Sequence, residues 1–329
     1  MSEQLFWVGA YTATMEGLGT GIGLARIGDD GAFESLGTAV ETSSPSFLAA
    51  GVDGTVYSTD EGNGRIEAFR PGAGHTLVPL GGQEVSGSSP CHLSVAGDRL
   101  YASNYGDGSI DVFPLASDGS VEPRVQTLRG TGSGPHPAQD GPHAHATLVT
   151  GDTVLSTDLG ADRVHRYTRV DGRLVRAGSA EFPAGTGPRD LLRTANGRIL
   201  LLGELSGEIF VLDEEAGIVV SSPSVVDWVD GDHAAALAVD DRGGFVYTGL
   251  RGSNRLVVVG GDDLSPVDAL PTGGDWPRHL CLVGDLLYVA NQLSSTVTSF
   301  RVDRLTGIPH QIGSPEPVPS PTYLLPFAG

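Results

Sequence analysis

A proline-led pair of strands recurs through this chain. Ser89-Pro90-Cys91-His92-Leu93 runs into a second apolar segment that closes on Ala102-Ser103-Asn104. Gly187-Pro188-Arg189-Asp190-Leu191 leads in the same way to Leu202-Gly203-Glu204, and Trp276-Pro277-Arg278-His279-Leu280 to Val289-Ala290-Asn291. Taking the leading proline as a phase marker gives Pro45, Pro90, Pro142, Pro188, Pro277 and Pro321, with the apolar segment from His233 filling the gap between the fourth and fifth. The interval runs from 44 residues (Pro277 to Pro321) to 52 (Pro90 to Pro142). That is the length of a propeller blade and too long for the common helical repeats.

Each unit carries four short strand signals. In the third they are His92 to Val95, Leu100 to Ser103, Ser109 to Phe113 and a weaker one near Val125 to Leu128. Asp-Gly and Asn-Gly pairs such as Asp53-Gly54, Asp107-Gly108 and Asn196-Gly197 stand where tight hairpins need left-handed backbone. The N-terminal segment supplies only three strands and lacks the proline-led one. Pro321 to Phe327 supplies it, so the last strand is expected to complete the first blade and close the ring without a free edge. The expected fold is therefore all-β: a seven-bladed propeller of four-stranded blades, with residues 1–329 forming one domain. The Gly- and Pro-rich stretch from Gly130 to Gly141 is the longest expected loop.

Composition narrows the chemistry. The chain has 20 basic residues, all arginine, against 40 acidic ones, a net charge of −20. Without lysine there is no Schiff-base chemistry and no P-loop. The negative charge repels nucleic acid and anionic membranes. No apolar run reaches membrane-spanning length and no signal peptide is evident, so a cytoplasmic protein is expected. Its oligomeric state is open and compatible with a monomer. Cys91 and Cys281 are expected as buried free thiols. No Gly-x-Ser-x-Gly elbow is present, and no cofactor or metal is expected.

In every copy the residue after proline should lie beside the residue closing the second strand. The polar residues gathered there are His92 with Asn104, His143 and His145 with Asp158, Arg189 with Glu204, Arg251, and Arg278 with Asn291 and Gln292. Glu204 is read as level with Asn104, Asp158 and Asn291, which leaves a shared turn-capping role open. His143 and His145, two apart on a strand, are expected on one face. Blade two, whose Ser44-Pro45-Ser46-Phe47 lacks an ionisable group, is expected to contribute little. His75, His136, His165 and His310 read as loop or surface residues. Three arginines at equivalent strand ends in so acidic a chain point to a pocket for an anion, since guanidinium pairs with carboxylate or phosphate through two parallel hydrogen bonds.

These motifs, together with Gln139-Asp140-Gly141-Pro142-His143-Ala144-His145, Thr157-Asp158-Leu159-Gly160 and Arg251-Gly252, occur in an order that resembles the lactonase family of seven-bladed propellers. That family includes propeller-type 6-phosphogluconolactonases and carboxymuconate cycloisomerases. The resemblance implies a catalytic set of His145, Arg189, Glu204 and Arg251. The remaining polar residues gathered at the strand ends, His92, Asn104, His143, Asp158, Arg278, Asn291 and Gln292, are expected to bind substrate. The resemblance also implies hydrolysis of a small anionic lactone, 6-phosphogluconolactone first. A lactonising cycloisomerase or a non-catalytic propeller binding a small anion or a protein are the alternatives. Four positions depart from the family pattern: Ala138 and Asp190 stand where Arg and His are usual, and Gly203 and Leu250 where Asn is usual.

Overall fold

In the computed structural model, which describes residues 4–222, 225 and 227–327, seven four-stranded antiparallel sheets form a ring. The inner strands of blades two to seven are Leu48–Ala50, Pro90–Ala96, Ala144–Thr150, Pro188–Arg193, His233–Val239 and Pro277–Val283. Blade one is built from both ends of the chain. Leu5–Ala10, Gly21–Ile27 and Phe33–Glu41 are joined on their inner side by Pro321–Pro326. The closing pairs are Phe6 with Pro326, Val8 with Leu324 and Gly9 with Tyr323. The expected closure and blade count are thus observed.

The second strand of each blade has neighbours on both faces, which explains continuous apolar runs in place of alternation. All five residues of Ile199–Gly203 are buried, as are all five of Val56–Asp60. The apolar core is not central. It is divided into seven clusters, one at each seam between blades. Leu200, Leu202 and Ile209 of blade five pack on Ala234, Leu237 and Val257 of blade six. Phe6 and Phe33 of blade one pack on Tyr288 and Val297 of blade seven. Each large side chain so buried contributes roughly 1.5–3 kcal/mol.

Tyrosines on second strands latch adjacent blades. Tyr57 donates its hydroxyl to the Gly119 carbonyl (2.9 Å), Tyr247 to Gly307 (3.0 Å) and Tyr288 to Gly31 (2.9 Å). The ring and its seams leave the channel to polar side chains.

One irregularity repeats. The pairing between first and second strands slips by one residue between Pro90 and His92, Ala144 and Thr147, Pro188 and Asp190, Ala234 and Leu237, and Pro277 and His279. The closing strand slips where Thr322 is skipped. Such β-bulges re-aim a side chain and are frequent beside functional sites.

Candidate active site

The six bulges, with Ser46 at the matching place in blade two, define a ring of side chains around the channel. Thr322, Ser46, Cys91, His145, Arg189, Ala235 and Arg278, one from each blade, all line the same cavity of about 190 Å³. A second ring stands above it at the mouth. The backbone N–H groups of Tyr11, Glu61, Tyr105, Leu159, Glu204 and Gln292 donate to Ser320, Ser44, Ser89, His143, Gly187 and Trp276, the residues just ahead of the bulged segments. Arg251, paired with His233, takes this place in blade six.

This register corrects one expectation. Glu204 is not level with Asn104, Asp158 and Asn291. Gly203 is, because it pairs with Pro188 as Asn104 pairs with Pro90 and Asn291 with Pro277. A shift of one residue turns a strand side chain to the other face. Asn104 accordingly donates to Ser109 Oγ and Asp111 Oδ2, and Asn291 to Thr298 Oγ1, all inside their own blades. Asp158 accepts the backbone N–H of His143 and of Ala161. None of the three lines the channel cavity, so their contribution is to brace the strand ends.

Glu204 is the hub of the mouth. One carboxylate oxygen pairs with Arg189 Nη1, and the other lies 2.9 Å from Arg251 Nη2 and 3.1 Å from His233 Nδ1. Arg189 also donates from Nε to the Ala235 carbonyl at 2.6 Å, and Arg251 from Nε to the His233 carbonyl at 3.2 Å. Burial by itself would raise the Glu204 carboxyl. Arg251 and Arg189, with His233 and His145, outweigh it and hold the group well below the usual carboxylate range. Burial pushes Arg251 down to about 9, with Glu204 opposing the shift.

A second charged cluster faces the first. Arg278 Nη2 lies 3.8 Å from Glu61 Oε2, and its guanidinium carbon sits 4.7 Å over the Tyr11 ring. Tyr11 Oη is 3.1 and 3.0 Å from the two Glu61 oxygens. Arg278 Nη1 reaches Gln292 Oε1 at only 3.5 Å. Glu61 and Tyr11 were not among the residues expected here, and blade two does place an ionisable group, Glu61, at the mouth. The signal was present: Glu61 follows the closing residue of its second strand as Glu204 follows Gly203.

The histidines take different places. For His143 and His145, both rings lie against Tyr105, at centroid distances of 4.4 Å for His143 and 6.2 Å for His145, but only His145 lines the channel cavity. The His143 ring stacks on Tyr105 (4.4 Å, 12°) and is held by the Tyr105 carbonyl at Nδ1 and by Asp140 at Nε2. His145 enters the channel, and its Nδ1 has no hydrogen-bond partner among the described residues. Burial, then the charge of Arg189, holds it well below the ordinary imidazole value, so it is neutral. His92 and His279 line the cavity deeper down and are pushed to about 3 by burial. Contrary to the surface expectation, His165 is buried in strand Arg163–Val170, bonded to Ser179 and Asp158. No group of three or more His, Cys, Asp or Glu among the described residues is placed to hold a metal ion. Cys91 and Cys281 are free and buried.

The family model described as "Lactonase, 7-bladed beta-propeller" matches residues 5–326. The chain belongs to the lactonase family of seven-bladed β-propellers. It is thereby a member of a family of lactone hydrolases. A Bacillus subtilis relative named 6-phosphogluconolactonase is 30% identical, covering 97% of this chain and 98% of its own. A Formosa agariphila relative of the same name is 28% identical, covering 80% and 82%. The periplasmic gluconolactonase of Pseudomonas aeruginosa superposes with a TM-score of 0.91 at 28% identity, covering 99% of both chains. No described helix of this lactonase is long and apolar enough to cross a membrane.

Two departures from the family pattern have local reasons. A Cβ on Gly203 would meet Ser206 Oγ at 2.7 Å and the Thr186 carbonyl oxygen at 2.9 Å, so this turn is packed too closely for Asn. Asp190 lines the channel and accepts the Leu237 N–H at 2.9 Å across the seam. Burial raises its carboxyl, with Leu237 and Arg189 opposing.

Proposed function

We propose that this lactonase hydrolyses an anionic sugar lactone, 6-phosphogluconolactone first, at the channel mouth. The observation that carries the reading is the convergence of two buried guanidinium groups, a third that is partly buried, and one neutral imidazole on one mouth in a chain of net charge −20. The relatives named 6-phosphogluconolactonase support the substrate.

Arg189 and Arg251 are committed to Glu204, whereas Arg278 makes only long polar contacts. Arg278 therefore has donors to offer the substrate's anionic group, and Arg189, already aimed into the channel, faces the oxyanion. Both Glu204 oxygens are occupied by cations, which leaves it a weak base. Its part is to hold Arg189 and Arg251 in place. His145 has an unengaged ring nitrogen and is the group to take a proton from water. Water oxygen then bonds to the lactone carbonyl carbon while its proton passes to His145. The carbonyl oxygen becomes an oxyanion stabilised by guanidinium. Collapse breaks the bond to the ring oxygen, which recovers the proton from His145. His92, His143, Asn104, Asp158, Asn291 and Gln292 shape and brace the mouth around this set.

The test is a lactone panel at fixed pH with spontaneous hydrolysis subtracted, comprising 6-phosphogluconolactone, gluconolactone and a muconolactone. The reading expects the highest kcat/KM on the phosphorylated lactone and a KM rise of at least tenfold in Arg278→Gln for that substrate. No turnover of any lactone above background would sink it.

A further inference from the structure

The residue just ahead of each bulged segment holds the turn into the channel, and several of these are in left-handed backbone. Ser44, Ser89, Gly187 and Ser320 have φ of 33°, 51°, 60° and 42°. In blade seven the same place is filled by Trp276, at φ 64°. Left-handed backbone suits Gly or Asn and disfavours a bulky side chain. The turn itself does not need an indole. Its backbone N–H donates to Asn254 Oδ1 at 2.8 Å and its carbonyl accepts from Gln292 at 3.0 Å, bonds that any residue makes. The strain is therefore kept for the side chain, as strain at a functional site is.

That side chain stands at the mouth. The Arg251 guanidinium carbon lies 5.5 Å over the indole ring, and the His233 ring centroid is 6.3 Å away. The indole is only partly buried, and neither of the other tryptophans takes part in the mouth: Trp7 is in the seam core and Trp228 packs on the cluster between blades five and six. A half-exposed aromatic beside a cluster of guanidinium groups offers an apolar face next to charge. A cyclic sugar lactone offers the complement, with a C–H face on its ring and oxygens at its edge.

Resting on the reading of this chain as a sugar lactonase, we infer that Trp276 is a specificity-determining residue: its indole, with Arg251, forms the wall on which the substrate's sugar ring packs. The site then favours pyranose-type lactones over small aliphatic ones by contact with the ring and not by charge alone.

Three measurements test this: KM and kcat on gluconolactone and on δ-valerolactone, the thermal midpoint, and quenching of tryptophan fluorescence by D-gluconolactam, which resists hydrolysis. Trp276→Gly is expected to raise KM for gluconolactone about tenfold, with kcat and the KM for δ-valerolactone within about twofold. Its thermal midpoint should be unchanged or higher, because glycine adopts the backbone without strain. Trp276→Phe should restore most of the gluconolactone KM. The lactam should quench the wild type and not Trp276→Phe. Equal KM changes on both lactones, or a lowered midpoint with no preference between them, would overturn the assignment and make Trp276 structural. If the wild type turns over neither of these lactones nor 6-phosphogluconolactone, the lactonase reading falls. Lactam quenching lost in Trp276→Phe would then still uphold the wall, and absent quenching would overturn it.

Discussion

At the scale of single residues, Glu204 and His145 divide the electrostatic work. Removing the Glu204 charge in Glu204→Gln leaves Arg189 and Arg251 buried without a counter-ion, which costs about 3–5 kcal/mol of stability in urea unfolding. The pH dependence has a definite sign. A carboxyl depressed in the folded state stabilises above its unfolded value of about 4.3, and the gain is lost as pH falls through the folded value. The stability gap between wild type and Glu204→Gln should therefore be full at neutral pH and shrink below about pH 4. A gap that widened on acidification would contradict the ion cluster. His145, held well below the imidazole range, should put no inflection near pH 6.5 in the kcat/KM profile, which reports the free enzyme. Its replacement by Asn should cut kcat by about a hundred- to ten-thousandfold. An acid limb centred near that pH would show that the imidazole is charged in the resting enzyme.

At the scale of the strand, the register carries the site. The proline-led repeat was legible in the sequence because Pro90, Pro188 and Pro277 mark the same strand entrance, and the turn pairs mark its hairpins. The bulge was not legible. It adds one residue to the inner strand without a residue type of its own, the added residue being Cys91, Arg189 or Arg278. Missing it placed Glu204 one step off and left Glu61 unnoticed. Gly203 shows how tight the register is. Gly203→Asn, which brings in the residue usual for the family, should cost about 1–3 kcal/mol by overpacking against Thr186 and Ser206. A differential scan should show the midpoint falling, and kcat/KM should fall with it as Glu204 is displaced. An unchanged midpoint would mean that the turn yields more readily than its packing indicates.

At the scale of the whole molecule, stability is distributed around seams, and one seam depends on both ends of the chain. A chain ending after Ser320 lacks the strand Pro321–Pro326 and with it Leu324, which packs in the cluster between blades seven and one. Calorimetry on that truncation should show loss of a single cooperative transition, since Leu5–Ala10 is left unpaired on its inner side and blade one is reduced to three strands. A native-like transition would mean that the ring closes without its inner clasp. Fold class and closure were the most legible features of the sequence, being written in seven repeats. The pairing of side chains between blades was the least, since Arg189 with Ala235 and Glu61 with Arg278 join residues far apart in the chain. The bulge at the strand entrance has a consequence for how such proteins diversify. It gives six of the blades one interchangeable seat facing a common space, occupied by Thr, Cys, His, Arg, Ala and Arg, with Ser46 at the matching place in blade two. A new chemistry can arise there by changing the occupant of a seat, with no insertion and no new loop, while the seams that keep the ring together go untouched.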